Sequence, residues 1–417
     1  MAQNAFQPLQ GMSDLTDPEL GVWRRIEGKA REVFARYGFD EIRAPILERA
    51  DLFERSLGET TDVVTKEMYS FTDRGDRRVT LRPEGTAGVV RYVAGRGPEA
   101  QDARLYYIGP MFRAEKPQAG RKRQFHQIGV EAIGPPDPYA DAECIALQMR
   151  LLAEWGLSDC ALQVNTRGLP EDQRAVSQVL RERLGPRQAQ LCEDCTRRLD
   201  MNIYRVLDCK QERCREIVAE LPPLTEFMCE PSRAHFAQVR AALEQIGLPV
   251  NVTPKLVRGF DYYVHTVWEI THGALGAQDA LSGGGRYTLR FGQKQIEGVG
   301  FAIGVERVVA ALQTKAAQAE SCAQAPELWL VSLGKEAIRQ NFALLEQVRA
   351  NGLRCGMLFG GRGMKAQMRA ANKSGAPRVV IRGPDEIEKD LFILKDMQGG
   401  GQRTLSRQQL ENELDVN

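Results

Sequence analysis

No run of apolar residues in this chain approaches the roughly 18–20 that a membrane-spanning helix requires. The opening stretch, MAQNAFQPLQGMSDL, has no basic segment followed by an apolar one. Both absences lead us to expect a cytoplasmic protein with no membrane partner. Histidine is scarce, with His126, His235, His265 and His272 the only four in 417 residues, which rules out a His-rich metal site. An excess of one charge is missing too, since 56 Lys and Arg stand against 55 Asp and Glu. Any contact with nucleic acid must therefore use local patches and not a global field. Nothing repeats at a fixed period, and no tract is of low complexity. What is present is an ordinary folded composition, 43% hydrophobic and 27% charged. The length suits about two to three domains. Nine cysteines, several widely separated, fit reduced thiols.

The stretch 104–131 organises the chain. Apolar and aromatic runs from Leu105 to Phe112 and from Phe125 to Val130 flank a polar loop with Pro117 and Gly120, which reads as an antiparallel hairpin. Five cations crowd its tip: Arg113, Lys116, Arg121, Lys122 and Arg123. They repel one another unless an anion sits among them, and a polyphosphate such as ATP or an RNA end is the natural guest. A solvated basic hairpin is the alternative.

Upstream, Asp17 and Pro18 open a helix that Gly38 ends, with Val22, Ile26, Ala30, Val33, Phe34 and Tyr37 as its buried stripe. Residues 39–48 read as a strand that Pro45 confines to an edge or bulge, so a dimer seam and a plain edge are both open. In Thr80-Leu81-Arg82-Pro83-Glu84-Gly85-Thr86, the Glu84 carboxylate sits on a turn before a helix. There it either binds an ammonium group or caps the helix. An amphipathic helix near residues 140–155 follows.

Residues 168–255 change character to charged helical stretches, and read as a module inserted between two halves of a catalytic domain spanning 1–325. Within it, Cys192, Cys195, Cys209 and Cys214 have the spacing C-x2-C-x13-C-x4-C, close to a structural zinc pattern, with free thiols as the alternative. Tight chemistry returns in Leu256 to Glu269, in the triplet Gly283-Gly284-Gly285 before Arg286 and Tyr287, and in Gly298 to Val309. Glycines of this kind let a backbone approach a ligand closely. Arg307, in the first turn of a helix, opposes the helix dipole and is better explained facing a phosphate. After a polar linker at 314–326, strands and helices alternate through residues 326–417 as a small α/β domain. Its stretch 351–383 carries Arg354, Arg362, Lys365, Arg369, Lys373, Arg378 and Arg382 with no acidic residue, a local basic patch.

With these stretches in view, the chain resembles class II aminoacyl-tRNA synthetases, and within them the histidyl-tRNA synthetase family. The Pro45 strand is similar to the first class motif, Phe112 to Gln127 to the second, and Gly300 to Arg307 to the third. TLRPEGTAG at 80–88, LVRGFDYYVHTVWE at 256–269 and GGGRY at 283–287 resemble the family's histidine-binding signatures. The resemblance implies an α+β fold: an antiparallel sheet of six to seven strands flanked by helices, a helical insertion, and a C-terminal α/β anticodon-binding domain. It implies a homodimer, the substrates L-histidine, ATP with Mg2+ and tRNA(His), and a histidyl-adenylate intermediate. Arg113 and Arg258 would serve catalysis at the α-phosphate. Arg121 and Arg307 would hold the outer phosphates, Glu115 the adenine edge and Phe125 its face. Glu84, Gly85, Thr86 and Gln127 would bind the ends of the amino acid, while Glu131, Tyr262, Tyr263 and Tyr287 would form the imidazole pocket, with Arg113 and Arg258 also facing histidine. Gln118 and Arg123 would face the tRNA acceptor end. After Tyr287, Thr288-Leu289-Arg290 replaces the family's usual Asp-Gly-Leu, and the loop is shorter. A non-catalytic regulatory subunit of ATP phosphoribosyltransferase, built on the same fold, is the rival reading, and another class II synthetase is the second.

Overall fold

The helix α1 (Glu19–Arg36) buries Trp23, Ile26, Ala30, Val33 and Phe34 on one stripe, as the 3.6-residue period requires. Asp17 does not cap it; its carboxylate accepts from Arg24 instead. The computed structural model describes residues 6–58, 61–97, 100, 102–117, 121–315 and 325–414. These fall into two units, Met1–Glu320 and Ser321–Asn417.

In the first unit, α1 is followed by β1 (Asp40–Glu41), β2 (Leu47–Arg49), α2 (Ala50–Leu57), β3 (Tyr69–Thr72), β4 (Arg78–Leu81), α3 (Thr86–Gly95), β5 (Arg104–Phe112), β6 (Gln124–Ile133) and α4 (Pro138–Glu154). Then come β7 (Ala161–Thr166), α5 (Pro170–Leu184), α6 (Glu193–Met201), α7 (Glu212–Ala219), α8 (Glu230–Gln245), β8 (Asn251–Val252), β9 (Tyr263–Thr271), β10 (Ala280–Phe291), β11 (Lys294–Gly304) and α9 (Val305–Lys315). The main sheet has the order β1-β5-β6-β11-β10-β9-β7-β8. It is mixed and eight-stranded, not the expected antiparallel sheet of six to seven. The six central strands are antiparallel, but β1 pairs with β5 and β8 with β7 in parallel. Each added edge is two exposed residues long, too short for a period-2 pattern to register. The expected strand over 39–48 is also divided. Pro45 lies in the break, with β1 in the main sheet and β2 in a small sheet of order β2-β4-β3.

Alternation along the central strands separates core from site. Ile128, Val130 and Ala132 of β6 and Val299, Phe301 and Ile303 of β11 enter the main core with residues of α1, α4, α8 and α9. Gln127 and Glu131 of β6 instead line a cleft. The insertion has its own cluster from Val176 to Met228, including Cys195, Cys209 and Cys214, while Phe236, Val239 and Leu243 of α8 pack into the main core.

The second unit comprises β12 (Leu328–Ser332), α10 (Lys335–Ala350), β13 (Cys355–Met357), α11 (Met364–Ser374), β14 (Arg378–Arg382), α12 (Pro384–Glu388), β15 (Leu391–Asp396), β16 (Gln402–Ser406) and α13 (Arg407–Glu413). Its sheet has the order β13-β12-β14-β15-β16. The β12 pairings with β13 and β14 are parallel, and the pairings along β14, β15 and β16 are antiparallel.

Candidate active site

A cleft of about 460 Å3 opens over the site face of the main sheet. One end is a buried carboxylate pair. Glu84 accepts from the backbone N–H groups of Thr86 and Ala87 at 2.7 and 2.8 Å, so it caps α3. The cap and the ligand readings are compatible, because Glu84 also lines the cleft. Burial raises its pKa against those N–H donors. Thr86 Oγ1 donates to Glu131 Oε1 at 2.7 Å. Glu131 is 1% exposed. Burial pushes its carboxyl up to about 8, even though the Thr86 hydroxyl favours the anion. Glu131 Oε2, Gln127 Oε1 and the hydroxyls of Tyr107 and Tyr287 are buried without a hydrogen-bond partner. Orphaned groups of this kind await a ligand that supplies complementary donors and acceptors.

Aromatic residues wall this end. Tyr262 stands 4.7 Å from Tyr263 and 5.8 Å from Tyr287, ring centre to ring centre. All three are buried. An irregularity in β9 aims them: Gly285 and Arg286, adjacent on β10, face Val267 and Val264, which leaves His265 and Thr266 as extra residues. His265 has φ 47, uncommon for a residue with a Cβ. Such bulges re-aim side chains near sites. The run 256–269 reads from sequence as a turn leading into a β-branched, aromatic strand, and nothing in it signals this shift. Beyond Tyr287, β10 turns at Gly292 straight into β11, so the short loop leaves Tyr287 and Leu289 buried.

The other end is cationic. Arg113, Arg121, Arg258 and Arg307 all line the cleft, with Glu115 and Phe125. Arg113 donates to Pro83 O at 2.9 Å and lies 5.2 Å from the Phe125 ring centre. Arg121 pairs with Glu115 at 2.8 Å. Arg258 pairs with Glu269 at 2.7 Å. Arg307 donates to the Ala280 carbonyl, and burial followed by the nearby Arg121 lowers its pKa. A guanidinium whose charge is disfavoured by burial and by a neighbouring guanidinium marks a place for an anion.

The remaining sequence candidates sit elsewhere. Gly85 backs onto Tyr107: a Cβ there would stand 2.2 Å from the ring. Arg123 packs over Gly11 and donates to the Glu115 carbonyl, while its neighbour Lys122 lines the cleft. Gln118 lies outside the described residues. Gly283 lines the cleft, and the glycine triplet also makes room for neighbouring side chains. A Cβ on Gly283 would collide with the Arg258 guanidinium, on Gly284 with Gly300 O and Trp268, and on Gly285 with the Tyr263 ring. The triplet is there to seat those side chains. Sequence reasoning missed Tyr107, Glu67, Arg205 and Asp208. The last three line the cleft, and Glu67 has a pKa raised by burial and then by Glu115. The four cysteines of the insertion converge, with all four Sγ atoms within 4.8 Å of one another.

In the second unit, Arg382 is withdrawn from the expected patch: it is buried, pairs with Asp390 at 2.7 Å and covers Phe392. Arg362, Lys365, Arg369 and Lys373 are exposed along α11 and its approach, beside the exposed Phe359.

Comparison with known proteins gives two family matches: histidyl-tRNA synthetase over residues 11–308 and an anticodon binding domain over residues 328–417. The chain is 43% identical to the histidine–tRNA ligase of Halothermothrix orenii, covering 94% of this chain and 95% of that protein. It is 44% identical to that of Nitratidesulfovibrio vulgaris, over 96% of both. The structure is similar to the crystal structure of apo S. aureus histidyl-tRNA synthetase, with TM-score 0.79, 33% identity, and coverage of 98% of this chain and 99% of that one.

Proposed function

This chain belongs to the histidyl-tRNA synthetase family, and on that premise we propose how its cleft works. The reaction is ATP-dependent ligation of L-histidine to tRNA(His) through a histidyl-adenylate. A histidine carboxylate oxygen attacks the α-phosphorus, the bond to the β-phosphate oxygen breaks, and pyrophosphate leaves; AMP leaves when the tRNA hydroxyl takes the histidyl group. No protein base is needed for the first step, because the attacking carboxylate is already ionised. Its difficulty is electrostatic, since two anions meet and charge builds on the phosphoryl oxygens. Arg113 and Arg258 offset that charge at the α-phosphate, and Arg121 and Arg307 hold the outer phosphates. Glu115 meets the adenine edge and Phe125 its face. Mg2+ arrives on the phosphates and needs few protein ligands. It would further neutralise the polyphosphate, and Glu67 is a cleft carboxylate that would suit a divalent cation.

The observation that carries the specificity is the buried Glu131, with Oε2 unpartnered in a ring of phenols. One imidazole nitrogen hydrogen-bonds to that oxygen, and the second nitrogen meets Tyr263. Glu84, Thr86 and Gln127 take the α-amino and carboxylate ends of the amino acid. Amino acids lacking the ring N–H leave the site's groups unpaired, which is worth about 10⁴-fold or more in discrimination. Histidine-dependent ATP–pyrophosphate exchange, run beside a panel of other amino acids, tests this. Exchange with histidine alone is expected, and folded protein that does not exchange would sink it. A regulatory subunit without ligase activity would have no use for four arginines at one cleft.

The remaining parts follow the same reading. Gln118 and Arg123 belong to the loop that meets the tRNA acceptor end. The second unit binds the anticodon through its exposed cations. Ile46 and Leu47, both 43% exposed beside Pro45, belong to a homodimer seam, which sedimentation would reveal as a dimer mass. We place the enzyme in the cytoplasm, with its tRNA. No helix among the described residues is long and apolar enough to cross a membrane. We read the four-thiol cluster as a structural zinc site.

A further inference from the structure

We propose that a zinc ion held by Cys192, Cys195, Cys209 and Cys214 positions the loop that carries Arg258, so that an insertion outside the cleft sets the geometry of phosphate binding. This rests on the reading of Arg258 as an α-phosphate ligand.

The thiols fit the ion. Cys192 Sγ and Cys209 Sγ are 3.8 Å apart, and a tetrahedron with Zn–S bonds of about 2.3 Å has S–S edges of about 3.8 Å. None of the four is in a disulfide; three are buried and Cys192 is half-buried. Backbone N–H groups already point at two of the sulfurs, Cys192 N at Cys214 Sγ and Cys195 N at Cys192 Sγ, at 3.2 and 3.4 Å. These are the donors a thiolate shell wants. Four thiolates fill the coordination sphere and leave no open position, so the metal is structural. On binding, the thiols release their protons to solvent.

The link to the cleft is the segment between α6 and Cys209. Asn202 Nδ2 donates to Asp261 Oδ1 at 2.9 Å. The Arg205 guanidinium lies 3.5 Å from where a Cβ on Gly259 would project. Val257 packs against the hydrophobic cluster that contains three of the cysteines. The module therefore grips residues 257, 259 and 261, on both sides of Arg258, while Arg258 itself points away to Glu269. A second tie runs from the Tyr204 hydroxyl to Gln173 O and from the Gln173 side chain to Tyr263 O, at 3.1 and 2.9 Å. In this chain of contacts the metal pins Cys209, and residues 202–205, just before it, hold the loop.

The test uses the full chain. Elemental analysis is expected to find one zinc per chain, and cobalt substitution to give thiolate-to-metal charge-transfer absorption. Chelation under reducing conditions is expected to lower kcat for histidine-dependent pyrophosphate exchange about tenfold, as expected for a small misplacement of a reacting-site group. The KM for histidine should change less than about twofold, and zinc should restore the rate. In Arg258→Ala, stripping the metal should cost less than about twofold, because the residue it positions is gone. Asn202→Ala should keep its zinc and its circular dichroism spectrum yet lose kcat several-fold, which guards against chelated protein that simply unfolds. A reduced protein that takes up neither zinc nor cobalt overturns the metal site. Unchanged kcat after stripping, or the same loss with and without Arg258, overturns the coupling. Zinc-loaded protein that activates no histidine overturns the functional reading and the coupling with it, while metal content and the cobalt spectrum still decide the site.

Discussion

Gly283→Ala and Gly284→Ala separate a seat for Arg258, the proposed α-phosphate ligand, from a seat for the core, one residue apart on β10. A methyl on Gly283 meets Arg258 Cζ, Nη1 and Nη2 at 2.5, 2.5 and 2.6 Å. All three atoms belong to the free end of one long side chain, so Arg258 swings away and the backbone stays. What the fold loses is the Arg258–Glu269 pair, whose side chains are 23% and 25% exposed. Allowing for solvent screening, that is about 1 kcal/mol or less. On the role proposed for Arg258, catalysis loses one fixed guanidinium at the α-phosphate, about 3 kcal/mol in the barrier or roughly a hundredfold in rate. On Gly284 the methyl meets Gly300 O at 2.3 Å and buried Trp268 at 2.5 Å. Gly300 O is backbone of the adjacent strand and cannot step aside. Overpacking of this kind costs about 1–3 kcal/mol of stability. Urea unfolding paired with histidine-dependent pyrophosphate exchange reads both quantities. The expected pattern is a stable, inactive Gly283→Ala and a destabilised Gly284→Ala. Parental exchange rates in Gly283→Ala would refute the role given to Arg258, and equal unfolding midpoints for the two variants would refute the steric account.

Three further outcomes are expected. Glu131 stays neutral in the fold up to about pH 8, but ionises from about 4.5 when unfolded, so stability should fall as pH rises through that window, by at most roughly 5 kcal/mol at 1.36 kcal/mol per pH unit; Glu131→Gln should remove that part of the slope, and a parental slope in the variant would contradict it. Burial, and then repulsion from His235, lower the His265 pKa to about 4. The unfolded chain therefore takes up a proton below about pH 6.5 that the fold refuses, and stability should drop as pH falls from about 6.5 to 4. His265→Asn, which tolerates the left-handed backbone, should lose that drop, as acid unfolding curves will show. Lys365→Glu with Arg369→Glu should weaken tRNA charging and its salt dependence while leaving pyrophosphate exchange unchanged; equal losses in both assays would show that the second unit serves the first reaction instead.

What could be read in the sequence, and what could not, divides along the range of each interaction. The hairpin of β5 and β6 was legible because alternation, turn residues and a cluster of like charges all lie within one stretch of chain. Helix α1 was legible for the same reason, though its cap was not. The two-residue edge strands carry no periodic signal of their own; they form only because β5 and β7 offer them an open edge. The bulge at His265 is similar, since β9 reads as an unbroken strand until β7 and β10 set its register.

The glycine triplet has a second role that its place in the sequence does not show. Glycine next to a ligand-binding run suggests close approach of backbone to ligand. In the fold each glycine makes room for a side chain from elsewhere, among them Arg258 and Tyr263. Glycine is thus required by side chains behind the cleft wall, and its requirement depends on partners 16 to 25 residues away on β9 and the loop before it. Arg205 and Asp208 likewise reach the cleft from the insertion, through its fold and not through any signal in their own stretch of sequence. A spacing pattern can show that four thiols suit a metal. It cannot show that the segment leading to the third thiol braces a loop at the reaction centre. That step needs the hydrogen bond from Asn202 to Asp261, and for that reason Asn202→Ala is the variant that separates bracing from metal binding.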